Sequence, residues 1–162
     1  MVTDPLGVFK IFPHLANGGY RVSSASTSGY NCIAWAAARD DRWWWQHPDG
    51  FWPPEAPLSE TLEAFEAAFA SLGYVRCIDY SLERRYEKIA IYASTAGIPT
   101  HAARQLPTGR WTSKLGRSED IEHSSPDALI SNNYGAPALF MRRRLGVFRF
   151  ALHWFWAKFG RA

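Results

Sequence analysis

Cysteine is scarce here: two residues in a chain of 162. Two cysteines exclude a disulfide-stapled scaffold. They are too few for a four-cysteine zinc site, and no C-x-x-C occurs. Each is therefore a core residue, a reactive thiol or half of a single bridge. His, Cys and carboxylates nowhere cluster at ligand spacing, so the sequence predicts neither a metal nor another cofactor. No apolar run reaches the roughly 20 residues needed to cross a bilayer. The nearest, residues 145–159, is interrupted by Arg149, His153 and Lys158. The opening MVTDPLGVFK has no basic stretch followed by an apolar core, so no signal peptide is expected. That predicts a chain cytoplasmic at synthesis, with export by a specialised route left open. No internal repeat and no nucleic-acid-binding motif is visible, and no nucleic-acid partner is expected.

What is present in excess is aromatic. Phe, Trp and Tyr make up 15% of the residues, eight of them Trp. With 47% hydrophobic and 20% charged residues, the composition is that of a folded chain with a real core. The formal charge of +3 hides an asymmetry. Residues 1–80 carry five Lys/Arg against nine Asp/Glu, and residues 81–162 thirteen against six. Basic side chains scattered in this way read as a solvated surface.

The pattern predicts an α+β fold, helices first and an antiparallel sheet after. Residues 1–30 read as loop with one short strand. Asn31 is a good N-cap for a short, nearly all-apolar helix over residues 32–40. Residues 41–58 are a Trp- and Pro-rich connection that covers core with its rings or forms a binding lip. Ser59 caps a helix over 60–72, stopped by Gly73, with Leu62, Phe65, Phe69 and Leu72 at helical spacing. Strands are expected over 74–80, 88–94, 101–106, 110–114 and 137–144, with Gly/Pro turns between several of them. Pro126 begins a short helix. The domain is expected to span 1–144, with a basic, aromatic extension over 145–162.

Two residues carry candidate chemistry. Cys32 opens the first apolar helix. Unpaired backbone N–H groups and the helix dipole there favour a thiolate, the nucleophilic form. The plainer alternative is a small buried hydrophobe. His101 opens a strand of the sheet that must pack on that helix, and a Cys nucleophile needs a His within reach as general base. His14 and His47 lie in loops, His153 lies in the aromatic extension, and His123 follows an acidic stretch. Cys77 reads as a packed core residue, and a Cys32–Cys77 bridge would block the nucleophile.

A Cys at the start of the central helix, followed by a sheet whose strand begins with His, resembles the papain-like superfamily. It looks closest to the compact NlpC-type peptidases and amidases. That family carries a third polar residue about a dozen positions after the His, where Ser113 stands. It places a Tyr near the oxyanion site about a dozen residues before the Cys, where Tyr20 stands. The local wording is also similar to an uncharacterised bacterial domain family of that superfamily. It is carried by Asn31-Cys32-Ile33-Ala34-Trp35-Ala36, by Thr100-His101-Ala102-Ala103-Arg104-Gln105, by the stretch from Gly109 to Gly116, and by Asp120-Ile121-Glu122-His123. The chain departs from the NlpC-type pattern at Asn31-Cys32-Ile33, where Asp-Cys-Ser is usual. It departs again at Ser113, where His, Asn or Gln is usual, and Asp120 is the rival orienter of His101.

The resemblance implies a papain-like fold and a cysteine hydrolase, an amidase, peptidase or deamidase working through a thioester on a protein or peptide amide. The implied catalytic residues are Cys32, His101 and Ser113 or Asp120, with Tyr20 at the oxyanion. Two other readings remain: a catalytically silent papain-like binding domain, and a toxin or effector using the same dyad on a protein target. The extension would pack on the domain, meet a partner protein or lie on an anionic membrane surface.

Overall fold

In the computed structural model, residues 2–146 are described; the extension read from the sequence lies almost wholly outside them. Seven strands form one sheet: β1 Tyr20–Ser24, β2 Val75–Cys77, β3 Tyr86–Ala93, β4 Pro99–Gln105, β5 Trp111–Lys114, β6 Asp120–His123 and β7 Ala136–Arg144. Their order is β1-β6-β5-β4-β3-β7-β2, and all neighbours are antiparallel. The helices are α1 Leu15–Gly18, α2 Cys32–Ala36 and α3 Leu62–Ala70, with a 3-10 turn at Pro126–Leu129. The α+β class with an antiparallel sheet is thus present.

The sheet is covered on both faces, and β3 shows why. Its side chains alternate between faces, and both sets are apolar. Ile89 and Ile91 join Ile33, Ala34, Phe65, Phe69, Ala102 and Met141 in one core, beneath α2 and α3. Ala90 and Tyr92 join Phe12, Leu15, Trp111, Ile121 and Leu129 in a second. The Trp-rich connection closes the first core. Trp44 is buried against Phe51, and Trp45 and Trp52 meet the Phe65 ring edge-on at 5.4 and 5.0 Å. Of the two readings of this segment, these contacts are those of core cover.

Several boundaries differ from the sequence reading. Helix α2 ends at Ala36, because Ala38 takes a left-handed conformation with φ 59° and turns the chain out of the helix. Helix α3 is capped by Thr61 rather than Ser59; the Thr61 hydroxyl accepts the Ala64 N–H at 3.3 Å. Strand β6 lies in the acidic stretch, where the sequence pattern predicts no strand. It exists because β1 and β5 pair with it on either side, burying Ile121. Cys77 is not a packed core residue. It ends β2, the last strand of the sheet, half-buried beside the Asp79 carbonyl. Both cysteines are free thiols.

Candidate functional site

Asn31 fixes where α2 starts. Its Oδ1 accepts the Ala34 N–H and the Trp44 N–H, both at 3.1 Å, and its Nδ2 donates to the Trp44 carbonyl at 2.9 Å. One side chain thus caps the helix and ties it to the Trp-rich connection. Cys32 follows as the first helical residue and is buried. Burial pushes its thiol up to about 11, although the backbone N–H groups of Ala102, Cys32 and Ile33 and the charge of Lys114 pull the other way. The lowering expected at a helix start is outweighed by desolvation. At neutral pH Cys32 is a thiol.

His101 is fully buried in β4. Its register partner on β3 is Tyr92, whose ring it meets edge-on at 5.1 Å. Ala102, next along β4, faces the core beneath α2. The imidazole and the Cys32 helix therefore belong to opposite sides of the strand. The Cys32 sulfur meets the backbone N–H of Ala102, one residue along β4 from the imidazole. Strands β4 and β5 pair only at Arg104–Thr112 and Gln105–Trp111. Beyond those pairs, side chains link the strands, His101 Nε2 lying 3.1 Å from Ser113 Oγ. On the other side of Ser113, His123 Nε2 lies at 2.9 Å, and His123 Nδ1 donates to the Ser125 carbonyl at 2.8 Å. His101 Nδ1 is buried and has no hydrogen-bond partner, the Cys32 sulfur included. Tyr134 lies flat on the imidazole, its ring centre 4.0 Å away and nearly parallel. A negative charge on Cys32 would raise the Tyr134 hydroxyl, which burial already raises. Burial, with the other histidine's charge adding, lowers His101 to about 3. Burial is also the main cause that lowers His123, to about 4. Both are neutral at pH 7.

The other expected site residues lie apart from the imidazole. Asp120 Oδ2 accepts the Tyr30 and Ser24 hydroxyls at 2.5 Å each, whereas the His101 side chain bonds to Ser113. It is Ser113 that touches the histidine. Tyr20 donates its hydroxyl proton to Asp4 Oδ1 at 2.8 Å and accepts the Leu6 N–H at 2.8 Å. It secures the N-terminal segment. Tyr134 and Lys114 have no role in the sequence reading, and His123 stands there only as a histidine set aside after an acidic stretch. The buried Lys114 donates to the Ser118 carbonyl and stands over the Tyr30 ring at 5.1 Å. The signal for His123 was its alternation with Ile121, which places both on the face that carries Ser113. Tyr134 sits in a turn with no periodicity and left no signal. A cleft of about 320 Å³, lined by Leu6, Val8, Phe12, Leu115, Glu119 and Tyr134 among others, opens against the same tyrosine. Among the described residues, no group of His, Cys, Asp or Glu is arranged to hold a metal ion, and no helix is long and apolar enough to cross a membrane.

Fold and site together define an α+β domain with a buried cysteine at the start of a short helix and a buried His101–Ser113–His123 chain across β4, β5 and β6. The chain belongs to the family described as Domain of unknown function (DUF7689), which matches residues 21–142. No curated protein and no solved structure matches it.

Proposed function

We propose that this domain is a papain-like cysteine hydrolase or acyl-transferring enzyme, with Cys32 as nucleophile and His101 as general base. The observation that carries the reading is the buried, unpartnered Nδ1 of a neutral His101, one residue along β4 from Ala102, whose backbone N–H serves the Cys32 sulfur. An orphaned acceptor in a protein interior costs about 1–3 kcal/mol. A proton acceptor held ready for the thiol gives that cost a use. Since the thiol and imidazole are both neutral, the proton moves during attack. The sulfur bonds to the amide carbonyl carbon as the S–H proton passes to His101 Nδ1. The carbonyl π electrons move onto oxygen, which the Cys32 N–H can receive. His101 then returns the proton to the leaving amine as the C–N bond breaks, leaving a thioester. Water, deprotonated by His101, releases the acid and restores the thiol. The Tyr20 hydroxyl, engaged by Asp4 and Leu6, has no part in this scheme.

The test uses iodoacetamide at pH 7, with Cys77 in the same molecule as reference thiol. Alkylation of Cys32 should slow at least about tenfold in His101→Ala while that of Cys77 is unchanged. Equal Cys32 rates in both proteins would sink the reading. One observation favours a second reading, a catalytically silent binding domain: the raised thiol makes no hydrogen bond to the imidazole. The same equal rates are what that reading expects.

A further inference from the structure

We propose that His123, acting through Ser113, is a positioning residue that holds His101 in the tautomer with its proton on Nε2 and its lone pair on Nδ1. The argument is one of donors and acceptors. The Ser125 carbonyl can only accept, so the His123 Nδ1 that contacts it at 2.8 Å must carry a proton. A neutral His123 then has a bare Nε2, which can only accept. Its contact is Ser113 Oγ at 2.9 Å, so the hydroxyl proton points to His123. A hydroxyl has one proton. Facing His101, Ser113 Oγ therefore offers a lone pair, and His101 Nε2, at 3.1 Å, must be the donor. A neutral imidazole protonated at Nε2 is bare at Nδ1. That is the buried nitrogen without a partner.

Direction thus passes from the backbone carbonyl of Ser125, two residues past His123, to His101 on β4. Ser113 alone could not impose it, because a hydroxyl serves equally as donor or acceptor. The relay uses no carboxylate, which agrees with Asp120 being engaged by Tyr30 and Ser24 instead. That a base is needed at Nδ1 rests on the proposed Cys32–His101 chemistry; the tautomer itself does not.

The experiment is long-range 1H–15N correlation on protein labelled at the imidazole nitrogens, at pH 7, with no substrate or inhibitor. In the wild-type protein the two histidines should show opposite patterns, His101 protonated at Nε2 and His123 at Nδ1. His123→Ala should let His101 populate both tautomers and slow Cys32 alkylation at least about tenfold. His123→Gln, whose amide oxygen can accept the Ser113 proton, should restore both the tautomer and the rate. A wild-type His101 protonated at Nδ1, or the same tautomer on both histidines, would overturn the proposal even if every variant failed to fold. So would an unchanged His101 pattern in a folded His123→Ala. Opposite tautomers together with His101-independent alkylation would uphold the relay and overturn the catalytic reading. His101-dependent alkylation with the wrong tautomer would do the reverse.

Discussion

His101 and His123 are each wholly buried and uncharged, and that couples the fold to pH. In the unfolded chain both titrate near 6.5; in the folded chain they titrate at about 3 and about 4. Below pH 6.5 the unfolded state therefore binds protons that the folded state refuses. The stability these groups contribute is complete above that pH and is lost as pH falls toward about 4 for His123 and about 3 for His101. Each histidine adds up to about 1.4 kcal/mol per pH unit to the slope. Urea midpoints should fall between pH 6.5 and 5, where most carboxylates are already ionised, and about half as steeply in His101→Gln. A flat profile would show that the histidines are hydrated in the folded state. Gly135 constrains the same neighbourhood. With φ at +70° and the Ala93 carbonyl oxygen 1.9 Å from where a Cβ would stand, it admits no side chain. The turn beside it carries Tyr134, the ring that lies on His101.

At the scale of elements, α2 leans on one residue, Asn31. Five residues are too few to hold a helix in water. Its stability comes from burial and from Asn31, which satisfies the helix N-terminus and the backbone of Trp44 together. Asn31→Ala removes the cap and leaves both Trp44 groups without partners. The expected loss is about 2–4 kcal/mol, above the usual cost of a cap alone, to be read from urea denaturation. A loss under about 0.5 kcal/mol would mean that packing alone places Cys32. The cap was readable in the sequence, because Asn before an apolar Ala-rich run has few other uses. The length was not, because nothing in Ala36-Ala37-Ala38 announces that Ala38 adopts a positive φ. Ser59 and Thr61 show the same limit, since both can cap and only the packed position of Phe65 chooses between them.

At the scale of the molecule, the sheet is the wall between two cores, and β3 contributes to both. Neither core can be lost without exposing the other face of the same strand. Unfolding of the domain should be all-or-none. Far-UV circular dichroism and tryptophan fluorescence should give coincident urea transitions, and separated midpoints would mean that the two faces fold independently.

The residues by themselves determined the class of fold and the start of α2, and they singled out Cys32 and His101 as candidates. Capping, apolar spacing and turn chemistry are local, and local order is written in neighbouring residues. The Ser113 contact was also legible, through the spacing that the resemblance supplied. Only the tertiary structure decided the rest. It paired an acidic stretch into β6, and so brought His123 against Ser113. It buried Cys32 deeply enough to reverse the expected shift of its thiol. It turned Asp120 toward Tyr30 and Ser24 rather than the imidazole, and engaged the Tyr20 hydroxyl with Asp4 and Leu6. Each of these depends on desolvation or on contacts between residues far apart in the chain, and neither has a signature in a window of sequence.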